Sequence, residues 1–483
     1  MLFAKPTPER GRYDETPLPE WAKALQRRLR RRGTNFFILH GPGVRDLHPL
    51  GPRRYGTIRD FLGEVIFRDR AVVMIYDRGA GIAFTDPAVE DDFKIVLRAY
   101  DAASGTKLAQ SQPRDPDRAL QLIESYLRKN LVEKRSFSAA VIVDYGETVA
   151  PAGEPGQLPV EDRASIVTLR RWASDPLFLQ RDVSFCIVAE NTATLNASLV
   201  GDARTFEMPV PVPDEAERLA YLTGRGSTPD TFSRIDAQRV AILTAGLTRI
   251  HLEGLLADAE AGGAPLDPDA LTREKKRLIE EASGGLLEFM TSDVGLDAVA
   301  GLEGAKALLR ETAEALRQGR LDVMPMGFLI CGPVGTGKSF IVQCFAAEIG
   351  IPVIEVRNFR SMWQGQTEAN LERILGILDS LGPVAVVVDE ADAALGNRDQ
   401  GGMDSGVSER VFAQLAAFMG DTRRRGQVTW FLMTSRPDLV PVDLKRQGRA
   451  EEHIALFPPA TLGERVQVFE ALRRRLRIAL EPG

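Results

Sequence analysis

Short apolar runs recur in the first part of the chain, at Asn35–Leu39, Ala71–Tyr76, Ala139–Val143 and Val183–Val188. Each is bounded by polar or glycine-containing segments and is too short for a buried helix. Each therefore predicts a strand covered on both faces. Between them apolar positions fall at helical spacing, around Asp117–Lys129 and Asp162–Ala173. Trp21–Arg32 also reads as a helix, ending in a basic run and stopped by Gly33. Strands alternating with helices imply an α/β layer with a largely parallel sheet.

The proline-rich stretch Pro209–Pro213 closes this first pattern, and a mostly helical region follows to about Phe289, broken by the loop Ala261–Pro265. Its last helix, Leu271–Ala282, stops at Gly284-Gly285. A second α/β pattern runs from about Ser292 to Pro459, with strands at Gly327–Cys331, Val353–Val356, Val384–Val388 and Val428–Met433. The two patterns share an order of elements but little residue identity, which reads as an old duplication.

Composition narrows the class. With 483 residues, 44% hydrophobic and 27% charged, the chain is globular, neither disordered nor collagen-like. Its 61 Lys and Arg against 67 Asp and Glu leave a net charge of −6, which argues against a nucleic-acid partner. The basic run at 27–32 reads as a solvated helix face. Three cysteines in so long a chain, at no zinc-ligand spacing, point to a reducing compartment. No apolar run reaches the 18 or so residues of a membrane helix, and the start shows no signal-peptide core. A cytoplasmic location is the expectation. The four histidines are scattered through the sequence and suggest no metal cluster.

One segment carries specific chemistry. Gly332-Pro333-Val334-Gly335-Thr336-Gly337-Lys338-Ser339 follows an expected strand and precedes the apolar-periodic helix Phe340–Ile349. That is the context of a phosphate-binding loop: glycines let backbone N–H groups curl around phosphates, Lys338 supplies a point charge, and Ser339 offers a hydroxyl to Mg²⁺. Some fifty residues on, Val384–Val388 ends in Asp389-Glu390. Carboxylates at a buried strand end face the ligand crevice of a parallel sheet. Asp389 is placed to hold the metal and Glu390 to deprotonate an attacking water.

With these motifs the stretch from Asp297 to about Pro459 resembles the AAA+ ATPases, within the classical AAA clade. Val299–Lys306 is similar to the segment lining the adenine pocket. Thr434-Ser435-Arg436-Pro437-Asp438 resembles the sensor-1 segment, with Ser435 where the family usually has Asn. Arg446–Arg449 is similar to the arginine-finger segment: Arg449 matches the first finger, which acts on a neighbouring subunit's nucleotide, and Glu452 stands at the second. Ser361–Glu368 matches the pore loop, so Trp363, with Gln364 and Gly365, is the expected grip on a substrate polypeptide. Asp399–Gly406 corresponds in position to a second pore loop. The whole chain resembles largely uncharacterised bacterial, cyanobacterial and plastid AAA proteins that carry a degenerate ATPase-like domain before the active one.

The resemblance implies a three-layer α/β/α P-loop NTPase core preceded by a degenerate α/β domain and a helical connector. The expected division is a flexible arm at 1–19, the degenerate domain at 20–222, the helical lid or connector at 223–290, the ATPase core at 291–459 and a lid helix at 460–483. In the first domain Gly41-Pro42-Gly43-Val44-Arg45-Asp46 stands where a phosphate loop would, without Lys or Ser/Thr, and Asp144-Tyr145 replaces Asp-Glu. Hydrolysis there is not expected. After Pro459 only enough chain remains for one amphipathic helix, which leaves a reduced lid, a lid from another chain and a shortened form all open. The implied function is a ring-forming ATPase, expected as a hexamer, that remodels a protein substrate using ATP and Mg²⁺. The alternative is a nucleotide-gated adaptor or scaffold with marginal turnover.

Overall fold

The structure is a computed structural model. It describes residues 18–476 except 32, 106, 135, 155, 226–234, 263–265, 291–293, 319, 350, 358–366 and 396–404. Of the expected arm at 1–19, residues 1–17 lie outside the described residues. The chain forms two compact units, Met1–Pro268 and Asp269–Gly483.

The strands of the first unit are β1 (Phe36–His40), β2 (His48–Gly51), β3 (Arg54–Gly56), β4 (Val72–Asp77), β5 (Gly81–Phe84), β6 (Ser138–Val143), β7 (Asp182–Val188) and β8 (Thr205–Pro209). Six of them form a sheet in the order β5-β4-β6-β7-β1-β8, with β2 and β3 a separate hairpin. Only β5 is antiparallel to its neighbour in that sheet. Alternate residues feed two cores. Phe36, Ile38, Val72, Met74, Val141 and Phe185 face one, whereas Phe37, Leu39, Val73, Ile142 and Cys186 face the other. This double burial is why the apolar runs are continuous and legible.

Three helix starts on the first face share one device. In Asp86-Pro87, Asp115-Pro116 and Asp175-Pro176 the Asp side chain accepts from an N–H of the first turn, and the Pro fills a position that needs no donor. The helix expected at 21–32 is Glu20–Leu29, shorter at its end because Arg30 already lies outside it.

The second unit contains β9 (Leu287–Met290), β10 (Gly327–Cys331), β11 (Val353–Val356), β12 (Val384–Val388), β13 (Val428–Thr434) and β14 (Glu452–Ala455). Their order is β14-β10-β13-β12-β11-β9, with β9 antiparallel. Five parallel strands therefore have the same spatial order in both units, and each sheet adds one antiparallel edge strand drawn from a different part of the chain. The helical pattern expected up to Phe289 ends at Ala282, and Leu287–Met290 turns instead into that edge. Phe328 stacks on Phe431 at 4.8 Å, joining β10 to β13 within the core. The helix Leu462–Leu476 follows the last strand.

His48 opens β2 and is 2% exposed, wedged against Trp21 and Phe61 with ring centroids 5.7 and 5.5 Å away. Its Nε2 donates to the Gly43 carbonyl at 3.1 Å. Burial, reinforced by the nearby Arg249 guanidinium, pushes its pKa down from 6.5 to about 3. A depressed histidine contributes stability that is complete above the unfolded pKa and lost as pH falls toward the folded one. The first unit should thus lose about 1 kcal/mol per pH unit from this residue below pH ~6.5. Urea melts at pH 7, 6 and 5 should show a shallower acid decline in His48→Gln; parallel declines would contradict the assignment.

Candidate functional site

In the second unit the carboxyl ends of β10, β12 and β13 meet. β10 leads into the glycine loop and then into the helix Lys338–Ile349. Gly332 is fixed by crowding: its N–H donates to Thr434 O at 3.2 Å, and a Cβ there would sit 2.4 Å from Leu456 O. Gly335 and Gly337 adopt φ of +86° and +87°, the left-handed region that side chains resist. Pro333 and Thr336 close the loop's turn through a 2.9 Å hydrogen bond from the Thr336 hydroxyl, and Val334 at its tip is 90% exposed. Lys338 folds back, its Nζ donating to Gly332 O at 2.8 Å and Pro333 O at 3.1 Å. The first-turn N–H groups at Lys338 and Ser339 have no intrahelical acceptor, which makes this end of the helix an anion site.

Across the crevice β12 ends in Asp389 and Glu390, both exposed. Glu390 takes φ of +47°, and its N–H donates back to Asp389 Oδ1 at 2.8 Å. A non-glycine residue in this region stores about 1–2 kcal/mol of strain, a pattern concentrated at functional sites. The Ser339 hydroxyl faces Asp389 Oδ2 at 3.5 Å. Hard oxygen donors so placed suit Mg²⁺.

Thr434 was not singled out by sequence reasoning. It is 1% exposed at the end of β13, donates from Oγ1 to Asp392 Oδ1 at 2.6 Å and accepts from the Arg436 N–H at 2.9 Å. It ties the sensor-like segment to the turn carrying Glu390, whereas Ser435 itself is exposed. Arg449 donates to the Asp443 carbonyl at 2.7 Å, and Glu452 begins β14 opposite Phe328. The segment between them is pinned by Glu451, which pairs with Arg425 at 2.8 Å and accepts from the N–H groups of Met326 and Gly448. Burial alone would raise the Glu451 pKa, but these donors hold it below the usual carboxylate value. Trp363, Gln364 and Gly365, and residues 399–404 of the second expected pore loop, lie outside the described residues.

A family profile for the ATPase family associated with various cellular activities (AAA) matches residues 328–457, spanning this whole crevice. Two further profiles, an AAA+ chaperone N-terminal Rossmann-like domain and an AAA+ chaperone second helical domain, match residues 6–211 and 216–284. The chain belongs to the AAA+ ATPases. The AAA match lies wholly within its second unit.

Among its relatives is a Cell division cycle protein 48 homolog of Archaeoglobus fulgidus, 27% identical over 379 residues that cover 72% of this chain and 51% of that protein. Peroxisomal ATPase PEX6 of Rattus norvegicus is 25% identical over 350 residues, covering 66% and 36%. Protein SAV of Sulfolobus acidocaldarius is 32% identical over 195 residues, covering 39% and 24%. The chain spans about half or less of the length of these curated relatives. In this AAA+ chain no described helix is long and apolar enough to cross a membrane.

Because Leu456 O is backbone, Gly332→Ala cannot be relieved by a rotamer change and should cost about 1–3 kcal/mol. Calorimetry should show the second unit melting several degrees lower, with nucleotide affinity reduced in parallel; an unchanged transition would contradict the close approach.

Proposed function

We propose that the second unit hydrolyses ATP and that copies of the chain form a ring, a hexamer by family expectation, which works on a protein substrate. The supporting observation is that Lys338 and Ser339, after β10, and Asp389 and Glu390, after β12, flank the carboxyl end of β13, with Ser339 and Asp389 3.5 Å apart. Gly332, Pro333, Val334, Gly335, Thr336 and Gly337 shape the cradle, and Lys338 leaves its carbonyl partners to meet phosphate. Ser339 and Asp389 hold Mg²⁺, which when bound neutralises developing phosphate charge. Glu390 orients the attacking water and accepts its proton. Ser435 stands at the sensor position beside the anchored Thr434. Arg449 reaches a neighbouring copy's nucleotide, and Trp363, with Gln364 and Gly365, grips an extended polypeptide. A cytoplasmic location agrees with Cys186, Cys331 and Cys344 forming no disulfide.

A second reading, a nucleotide-gated adaptor with marginal turnover, draws on two features of the same site. Ser435 is exposed where the family has Asn, and Glu452 occupies the second finger position as a strand residue.

Steady-state turnover separates the two. Glu390→Gln should bind ATP but turn over at least about 100-fold more slowly than the parent chain. Lys338→Ala and Arg449→Ala should each be inactive alone, and mixing them should restore turnover if Arg449 acts on a neighbour. A parent rate no faster than that of Glu390→Gln would favour the adaptor.

A further inference from the structure

The first unit repeats the crevice of the second in detail. β6 ends in Asp144, and Tyr145 takes φ of +52° with its N–H donating to Asp144 Oδ1 at 2.8 Å, as Glu390 does to Asp389. The loop after β1 begins at Gly41, whose N–H donates to Glu190 O beyond β7, as that of Gly332 does to Thr434 O. Asp144 therefore stands where Asp389 stands, and Gly41–Asp46 where the phosphate loop stands.

The two crevices differ in what occupies them. Arg45 Nη1 donates to Asp144 Oδ1 at 2.6 Å, and its Nε to Glu190 Oε1 at 3.3 Å. The guanidinium lies 3.9 Å from the Tyr145 ring centroid, with the Glu147 carboxylate at 4.0 Å. The loop is also collapsed. Gly43 donates to Val210 O at 2.9 Å, and a Cβ on it would come within 2.0 Å of Pro211 O, whereas Cβ atoms at Gly335 and Gly337 would meet nothing within 4 Å.

The next residue turns the other way. Asp46 is 3% exposed and accepts from Arg249 Nη1 at 3.2 Å and from the Ile250 N–H at 3.1 Å. Arg249, 4% exposed, also donates to Leu47 O at 3.1 Å and to Glu217 Oε2 at 3.1 Å. Arg249 begins the helix Arg249–Gly262, and Glu217 lies on Glu215–Arg225. Successive loop residues thus grip the strand ends through Arg45 and the helical segment through Asp46.

We infer that the first unit carries its own ligand: Arg45 takes the place of a nucleotide's cation, and the Asp46–Arg249 pair fastens the helical segment to the loop in every nucleotide state. The unit is a fixed body that takes no nucleotide, and this holds whether or not the second unit turns over.

Hydrogen exchange of the full chain, followed by peptide, tests it with and without ATP and Mg²⁺. Peptides covering 41–48 and 249–256 should show the same protection in both conditions, in the parent chain and in Lys338→Ala, while 332–339 gains protection only in the parent. Nucleotide-dependent protection of 41–48 that persists in Lys338→Ala would overturn the inference. Absence of a change at 332–339 in the parent would count against the ATPase reading alone. Arg249→Met, which keeps bulk but removes the guanidinium opposite Asp46, should speed exchange in 41–48 and 249–256 by at least about tenfold while β1 and β6 stay protected. Unchanged exchange there would refute the fastening. Should Arg249→Met not accumulate, Asp46→Asn keeps an acceptor for Ile250 and should show the same loss to a lesser degree, with unchanged exchange again refuting it.

Discussion

A carboxylate at the carboxyl end of a buried parallel strand, followed by a residue forced into the left-handed region, organises both halves of this chain. The turn bends the backbone N–H back onto the carboxylate at the crevice end of the strand. In the first unit the oxygen that takes the Tyr145 N–H also meets Arg45, at 2.6 Å, and the carboxylate is buried. In the second the two roles separate: Asp389 Oδ1 takes the Glu390 N–H, Oδ2 faces the Ser339 hydroxyl, and the carboxylate is exposed. Related geometry thus gives a self-neutralised structural joint in one unit and an exposed carboxylate beside a hydroxyl in the other.

The sheet order makes this possible, because it sets β7 or β13 between the loop-bearing strand and the carboxylate-bearing strand in both units. Backbone contacts at that middle strand hold the loops in register, through Glu190 O in one and Thr434 O in the other. The side chains around them were then free to diverge. Thr434 became an anchor for Asp392, while Glu190 became a second acceptor for Arg45.

The central strands were legible in the sequence because burial on both faces makes them continuous apolar runs, as at Val384–Val388. Edge strands were not. Thr205–Pro209 and Glu452–Ala455 are half covered, carry charges, and gain their conformation from pairing with β1 and β10. The glycine loop and Asp389-Glu390 could be read because their chemistry is local in sequence. Arg45 could be seen as a missing lysine, but not as a replacement, since its partner Asp144 lies 99 residues away. Asp46 and Arg249 are 203 residues apart, and a charge sum carries no trace of such a pair.

The central claim is that two copies of one fold share a single open nucleotide site. Equilibrium titration of the full chain with ATP and Mg²⁺ tests it most directly, by counting sites per chain. One site is expected, lost altogether in Lys338→Ala. Two sites per chain, or one that survives Lys338→Ala, would contradict it.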